Sequence, residues 1–224
     1  MRAIITRHYK TLHNASEEIM GWGDAPRHSG WRGDVDYVDN RFQKRALNFD
    51  AVYSSDLERA RQTALFYARR RGIDVVHNST ALNEVNYGRL YKKKKKWVAE
   101  NYPRHKKDPD LVYPEGESFR QMQQRSVQFV TAMAEVHPQQ TVLIVVHAGV
   151  IRGLISHFLR LHYADHLQHK ISHRYIGKFL FDGGNCVRYN ELGDRSGFVR
   201  DGAIKIPFNC STTDNPISGE FPPG

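Results

Sequence analysis

Five residues in this sequence have side chains that could act together on a phosphate group, and each follows a predicted strand. They are Arg7, His8, Arg59, Glu84 and His147. A neutral imidazole, whose pKa is ordinarily about 6.5, is a nucleophile at neutral pH. Guanidinium groups bind phosphate oxygens through paired hydrogen bonds, and a second histidine can donate another. A protonated carboxyl can give its proton to a leaving alkoxide, so this combination predicts phosphoryl transfer.

The elements that must position these side chains are short β-branched runs that alternate with helical patterns. The predicted strands are 3–6, 51–53, 73–76 and 141–146, and the predicted helices are 57–71, 118–136 and 150–161. The first and last strands are continuous apolar runs, which is typical of parallel strands covered on both faces. We therefore expect an α/β fold with an open, mostly parallel sheet and helices on both faces. Because ligands bind at the carboxyl ends of such strands, the five side chains are expected to meet at one edge.

The C-terminal part of the chain has a different pattern. Two apolar segments, 179–181 and 186–189, flank Gly183 and Gly184 and predict a hairpin extension at an edge of the sheet. Ser, Thr, Pro and Gly are frequent in 209–224, which is expected to form an irregular tail. No linker or internal repeat divides the remainder, so we expect a single domain over 1–208.

Composition excludes several classes of protein. The chain has 224 residues, of which 40% are hydrophobic and 25% charged, as in a folded globular protein. No apolar run reaches the ~18 residues of a membrane span, and the N-terminal apolar stretch is too short for an export signal. The two cysteines, Cys186 and Cys210, cannot form a disulfide scaffold, so a cytoplasmic location is expected. A homo-oligomer is compatible with this sequence.

The net charge of +9 predicts attraction to anions. Three arginines at 69–71 precede Gly72 and indicate a helix end, where cations interact favourably with the helix dipole. Five lysines at 92–96 fit a solvated helix face, a rim that attracts phosphate groups or a nucleic-acid patch. This run lacks the interleaved aromatic residues typical of nucleic-acid binding, so a small phosphorylated substrate is the expected partner.

Several separated motifs resemble, in the same order, those of the histidine phosphatase superfamily, also called the phosphoglycerate mutase-like family. They are Arg7-His8-Tyr9-Lys10-Thr11 with Asn14, Gly21-Trp22-Gly23-Asp24-Ala25-Pro26, Ser54-Ser55-Asp56-Leu57-Glu58-Arg59-Ala60, Leu82-Asn83-Glu84, Tyr113-Pro114-Glu115-Gly116 and His147-Ala148-Gly149-Val150-Ile151-Arg152. The resemblance extends from residue 2 to about residue 160.

This resemblance implies roles for the candidate residues. His8 would accept the phosphoryl group and Glu84 would donate a proton to the leaving group. The phosphate would be held by Arg7, Arg59 and His147, with a further hydrogen bond from Asn14. The family's reaction passes the phosphoryl group to histidine and then to water, with no metal and no cofactor. A phosphoglycerate mutase-like fold and a phosphomonoester hydrolase are therefore implied.

Local residues favour the phosphatase branch over the mutases. Cofactor-dependent mutases of the family carry arginine directly after the glutamate, where this chain has Val85. They also carry an Arg-Arg pair followed by a proline-rich insertion, a combination that is not found here. Without those cations a second phosphate is poorly held, so water is expected to receive the phosphoryl group. A phosphoglycerate-type phosphomutase is the alternative.

Tyr9 stands where the family almost always has glycine. Either its ring lines the mouth of the site and selects the leaving group, or it packs elsewhere because the backbone does not need glycine. A further alternative is a weakly active member that only binds phosphorylated ligands. Tyr87, close to Glu84, is a second candidate for substrate contact, although a core tyrosine is equally typical.

Four histidines in a Tyr/Gln/Lys-rich region have a spacing compatible with one solvated helix face. They are His162, His166, His169 and His173. Only Asp165 supplies a carboxylate nearby, so no metal site is predicted there.

Overall fold

The computed structural model describes residues 1–166, 169–197 and 204–206, in which seven strands form one sheet. The strands are β1 (Arg2–Arg7), β2 (Ala51–Ser55), β3 (His77–Ser79), β4 (Thr141–Val146), β5 (Ile176–Asp182), β6 (Asn185–Glu191) and β7 (Ile204–Lys205). Their order across the sheet is β3-β2-β4-β1-β5-β6-β7. The first four in this order run parallel, and the last three continue the sheet in antiparallel pairings.

Helices and 3-10 turns connect these strands. The helices are α1 (Leu12–Ala15), α2 (Trp31–Lys44), α3 (Glu58–Arg69), α4 (Lys95–Asn101), α5 (Phe119–Val136), α6 (Ala148–Phe158) and α7 (Tyr163–His166). The 3-10 turns are Thr80–Leu82, Gly88–Leu90 and Pro103–Lys106. Among the described residues, no helix has the length and apolar composition that crossing a membrane requires.

The central strand β4 separates two hydrophobic cores. Every residue of β4 is buried, as its continuous apolar run predicts. Ile144 and Val146 pack with side chains of α5 and α6, whereas Leu143 and Val145 face the opposite way and pack with α2 and α3. Helices therefore cover both faces of the sheet, and the predicted α/β class is confirmed.

Two further predictions agree with the structure. Helix α5 begins after Ser118, whose Oγ accepts the N–H of Gln121 while the Gln121 side chain accepts the N–H of Ser118. This reciprocal pair is a capping box. The hairpin is formed by β5 and β6, and Gly183 in its two-residue loop has a φ of +53°. The predicted tail at 209–224 lies outside the described residues.

Two predicted elements are wrong. The strand expected at 73–76 is irregular, and Val75 within it is 59% exposed. Pairing with β2 starts only at His77, so the apolar residues before it have no neighbouring strand. The helix expected across the four histidines is limited to Tyr163–His166, and His173 lies in the irregular segment that leads into β5. Helices α2 and α4 were not predicted.

Candidate functional site

Two parallel strands bring His8 and His147 together. His8 follows β1 and His147 follows β4, and these strands pair in parallel with Arg7 opposite Val146. The N–H of His8 donates to the carbonyl of Val146 at 3.0 Å, which extends the pairing past the strand ends. The two imidazole rings consequently lie with their centroids 5.0 Å apart. This is the sheet edge at which strand polarity predicts a ligand site.

The hydrogen bonds of His8 leave one ring nitrogen free to react. His8 Nδ1 lies 2.6 Å from the carbonyl oxygen of Tyr9. Because a carbonyl only accepts, Nδ1 carries the proton and Nε2 holds the lone pair. Burial lowers the pKa of His8 well below 6.5, and the nearby Arg59, His147 and Arg7 lower it further. The ring is therefore a neutral nucleophile at neutral pH.

A similar argument fixes the orientation of His147. Its Nε2 lies 2.8 Å from the hydroxyl oxygen of Ser55. That hydroxyl donates its single proton to Oδ1 of Asn83 at 2.7 Å, and the same Oδ1 accepts the N–H of Asp56. His147 Nε2 must therefore donate, which leaves Nδ1 buried and, among the described residues, without a partner. Burial, Arg59 and Arg7 lower the pKa of His147 well below its ordinary value.

Arg59 is a buried cation and Arg7 a partly buried one, and both lie close enough to His8 to lower its pKa. Arg59 is 1% exposed and donates to the carbonyls of Gly21 and Gly23, each at 2.7 Å. Arg7 donates to the carbonyl of Ile171 at 2.6 Å. Burial lowers the pKa of both guanidinium groups to about 10, so both remain charged at neutral pH.

These cations are not fully satisfied by protein groups. The Nε–H groups of Arg7 and Arg59 are buried and lack a hydrogen-bond partner among the described residues. A buried charge without a partner is costly, and an unsatisfied buried donor costs about 1–3 kcal/mol. An anion bound beside His8 would relieve both costs. The site is therefore built to receive a negatively charged group.

Glu84 is held in place by backbone groups. Its Oε2 accepts the N–H of Gly149 at 3.1 Å, in the first turn of α6, and its Oε1 accepts the N–H of Val85 at 3.0 Å. The Glu84 carbonyl oxygen accepts from Trp22 Nε1 at 2.7 Å and from Arg125 Nη2 at 3.0 Å. The carboxyl group is thereby fixed on the wall of the cavity that contains His8.

Asn14 and Tyr87 also line this cavity. Asn14 Oδ1 accepts from the backbone and hydroxyl of Thr11, and its Nδ2 is 3.5 Å from the sulfur of Met20, a weak acceptor. The amide therefore has donor capacity for a phosphate oxygen. The ring of Tyr87 packs against Tyr113 with centroids 4.7 Å apart and forms part of the wall.

Tyr9 is not brought to the cavity. Its side chain is buried in the core formed with α2 and α3, with its ring centroid 5.7 Å from that of Trp31. The guanidinium of Arg27 lies over the same ring at 5.1 Å. The backbone of Tyr9 has no positive φ, so the position does not need glycine. Of the two alternatives for Tyr9, the structure therefore shows the one in which its ring packs in the core and does not contact the substrate cavity.

The cavity has a volume of about 520 Å³ and is also lined by residues that were not predicted to belong to the site. The cations Arg152 and Lys95 and the ring of His173 all contribute to its wall. Arg152 lies one turn after Ala148 on α6, so its position within the sixth motif could have indicated it. Lys95 belongs to the lysine run and supports the phosphate-attracting rim among the alternatives. His173 was assigned to a solvated helix, and no periodic pattern marks it.

Within the ranges 1–166, 169–197 and 204–206, no group of three or more His, Cys, Asp or Glu residues is arranged to hold a metal ion.

Comparisons with known proteins agree with this geometry. A 2,3-bisphosphoglycerate-dependent phosphoglycerate mutase from Bartonella bacilliformis is 30% identical over 68% of this chain and 78% of its own length. A metal-independent phosphoserine phosphatase from Arabidopsis thaliana is 31% identical over 67% of this chain and 66% of its own length. The solved structure of Bacillus stearothermophilus YhfR superimposes with a TM-score of 0.73 at 26% identity, covering 83% of this chain and 93% of that one.

The family description that matches the chain is the histidine phosphatase superfamily (branch 1), over residues 3–191. This range contains the strand ends and every cavity residue discussed above. The chain belongs to branch 1 of the histidine phosphatase superfamily.

Proposed function

We propose that this chain is a phosphomonoester hydrolase that works through a phosphohistidine intermediate on His8. Arg7, Arg59 and His147 hold the phosphate, Asn14 adds a hydrogen bond, and Glu84 is the proton donor. The observation that carries the proposal is the pair of buried guanidinium Nε–H groups on Arg7 and Arg59, which have no partner among the described residues, beside the neutral imidazole of His8. His147 joins them by taking up a proton on Nδ1 together with the phosphate group. Family membership and the phosphatase among the relatives support the same reaction class.

In the first displacement, the lone pair on His8 Nε2 attacks the phosphorus atom. A P–N bond forms and the P–O bond to the leaving group breaks, and the leaving oxygen takes the proton of the Glu84 carboxyl group. The guanidinium groups neutralise the charge on the transferring phosphoryl oxygens. The bond from His8 Nδ1 to the Tyr9 carbonyl steadies the proton that the phosphorylated ring retains.

In the second displacement, water attacks the phosphorus atom from the side that the leaving group has vacated. The Glu84 carboxylate takes one proton from this water, the P–N bond breaks, and inorganic phosphate is released. Glu84 is again protonated and His8 is again neutral, so the cycle closes without a cofactor. The protein residues supply every proton-transfer group that this sequence of steps needs.

The direct test is hydrolysis of p-nitrophenyl phosphate by the wild type and by His8→Ala, in the presence of a chelator. We expect turnover by the wild type and loss of turnover in the variant. His157→Ala is the matched control, because His157 is exposed on α6 and does not line the cavity. Turnover that survives in His8→Ala, or that disappears with the chelator, would overturn the proposal.

A phosphoglycerate-type phosphomutase is the second candidate, because a mutase is among the relatives and Arg152 and Lys95 add cations to the cavity. Val85 weighs against it. The side chain after Glu84 is 1% exposed and packs in the core, so it contributes no cation. Isomerisation of a phosphoglycerate in the presence of 2,3-bisphosphoglycerate would favour the mutase. Release of inorganic phosphate from the same substrate would support the hydrolase.

A weakly active member that only binds phosphorylated ligands is the third candidate, motivated by Tyr9 and by the net charge of +9. The packing of Tyr9 outside the cavity removes the first of these motives. A single domain over 1–208, a cytoplasmic location and a homo-oligomer stay predictions.

A further inference from the structure

The residues before β5 form one wall of the cavity. Five consecutive residues, Lys170, Ile171, Ser172, His173 and Arg174, line it. This wall is tied to the phosphate site at two points. Arg7 donates to the carbonyl of Ile171 at 2.6 Å, and His173 Nδ1 lies 2.8 Å from the carbonyl oxygen of His8.

The second of these contacts fixes the tautomer of His173. The carbonyl of His8 can only accept, so the proton of the neutral ring is on Nδ1. Nε2 therefore carries a lone pair. Within the described part of the chain Nε2 has no hydrogen-bond partner, and it is not among the fully buried atoms that lack one. The residue lines the cavity. His173 thus presents a neutral acceptor to the ligand, with its ring centroid 5.5 Å from that of His8.

The surroundings keep this ring neutral. Burial, together with the nearby Arg7, Lys10 and Lys95, lowers the pKa of His173 to about 2, while the bond to the His8 carbonyl acts in the opposite direction. An unprotonated ring nitrogen cannot hydrogen-bond to the oxygens of a phosphate dianion, because both are acceptors. The same three cations repel an ammonium group. The ligand group that fits this nitrogen is an uncharged donor.

We propose that His173 is a specificity-determining residue, whose Nε2 accepts a hydrogen bond from a hydroxyl group on the leaving group of the substrate. This inference rests on the proposed hydrolase activity and narrows its substrate class to phosphate monoesters of hydroxylated alcohols. An ester that lacks the hydroxyl leaves this acceptor without a partner on the ligand. A site that hydrogen-bonds a substrate hydroxyl discriminates against an analogue without that hydroxyl more strongly than an apolar site discriminates against an analogue that lacks one methylene group.

Two esters that differ by a single hydroxyl group test the proposal. They are the 1-phosphate of propane-1,2-diol and propyl phosphate, and the measured quantity is the ratio of their kcat/KM values. We expect the wild type to prefer the hydroxylated ester by about tenfold or more. Turnover of p-nitrophenyl phosphate, which has no such hydroxyl, separately reports the phosphate-transfer machinery.

Two amide variants of His173 distinguish the contribution of Nε2 from that of Nδ1. In His173→Asn the side-chain NH2 can replace Nδ1 and keep the bond to the His8 carbonyl, but no acceptor reaches the position of Nε2. In His173→Gln the amide oxygen reaches the position of Nε2, while the bond to His8 is lost. We expect His173→Asn to abolish the preference for the hydroxylated ester, and His173→Gln to keep part of it at lower turnover. The control is His157→Phe, because His157 is exposed on α6. It should change neither the preference for the hydroxylated ester nor the turnover.

The outcomes are distinct from failure of the proposed function. If the wild type does not hydrolyse p-nitrophenyl phosphate, the hydrolase proposal itself fails. If it does, a wild-type ratio near one, a ratio unchanged in His173→Asn, or no turnover of either alkyl ester would each overturn the role of His173. Melting curves of both variants establish that they are folded, and a purely structural role would lower turnover of all three esters equally.

Discussion

Glu84 and Gly149 lie so close that no side chain fits between them. The N–H of Gly149 donates to Glu84 Oε2 at 3.1 Å, and a methyl group at Gly149 would lie 2.0 Å from Glu84 Oε1. Gly149 stands in the first turn of α6. The absence of a side chain at this position therefore sets where the carboxyl group sits.

Substitution of Gly149 should consequently impair catalysis. We expect Gly149→Ala to displace the Glu84 carboxyl group and to lower kcat/KM for an alkyl phosphate by about 10²-fold, the scale of a lost general acid. The matched control is Gly153→Ala on the same helix, where the added methyl group meets ordinary contacts of 3.4 Å or more. The control should stay within about threefold of the wild type, and equal losses in both variants would refute the explanation.

The role of Glu84 as proton donor predicts a dependence on the leaving group. Glu84→Gln keeps the shape of the side chain but cannot supply the proton. The value of kcat/KM, which reports the first displacement, should fall about 10²-fold or more for an alkyl phosphate and far less for p-nitrophenyl phosphate, because its leaving group needs no proton. The second displacement is the same for both esters, so kcat should fall for both. An equal loss of kcat/KM on the two esters would contradict the role of Glu84 as proton donor.

Arg59 should not tolerate lysine. Its guanidinium donates to the carbonyls of Gly21 and Gly23 at 2.7 Å while facing the phosphate site, and an ammonium group cannot make all of these bonds in one plane. We expect Arg59→Lys to lower kcat/KM by about 10²-fold. Arg61→Lys, an exposed residue on the same helix that pairs with Glu58, is the control and should stay within about twofold.

The buried neutral histidines predict acid lability. The pKa of His173 is about 2 in the folded chain and 6.5 in its ordinary state, so the unfolded chain binds more protons below pH 6.5. Stability due to this residue is full above that pH and is lost as the pH falls toward 2. Between pH 7 and pH 5 the loss is ~2 kcal/mol.

Urea unfolding at several pH values measures this effect. In His173→Asn the difference in unfolding free energy between pH 7 and pH 5 should shrink by about that amount, because the titrating group is gone. Some dependence of the unfolding free energy on pH should remain in the variant, because burial also lowers the pKa values of His8 and His147. An unchanged pH dependence in His173→Asn would contradict the buried neutral state.

Part of this site could be read from the sequence because strand polarity is a local property. The apolar runs of β1 and β4 indicate buried parallel strands, and the residues after two such strands must share an edge. Arg7, His8 and His147 follow from that argument alone. The positions of Arg59 and Glu84 are harder to predict, because neither residue directly follows a strand. Arg59 lies at the start of α3, and Glu84 lies in the irregular segment after the 3-10 turn Thr80–Leu82.

The rest depends on contacts that no local pattern encodes. His173 reaches the site through one hydrogen bond between its ring and the His8 backbone, made by an irregular segment before an antiparallel strand. Tyr9 is directed into the core beside Trp31, and its position in the motif does not indicate that direction. At 73–76, β-branched residues suggest a strand, but the pairing with β2 that decides the matter begins at His77.

The measurement that tests the account most directly is a search for phosphate bound to His8 during turnover. The wild type would be mixed rapidly with an excess of p-nitrophenyl phosphate, quenched in alkali, digested and examined by mass spectrometry. The account predicts one phosphoryl group on the peptide that contains His8, stable to alkali, labile to acid and absent in His8→Ala. Hydrolysis by the wild type with no phosphate on His8 at any time before completion would contradict it.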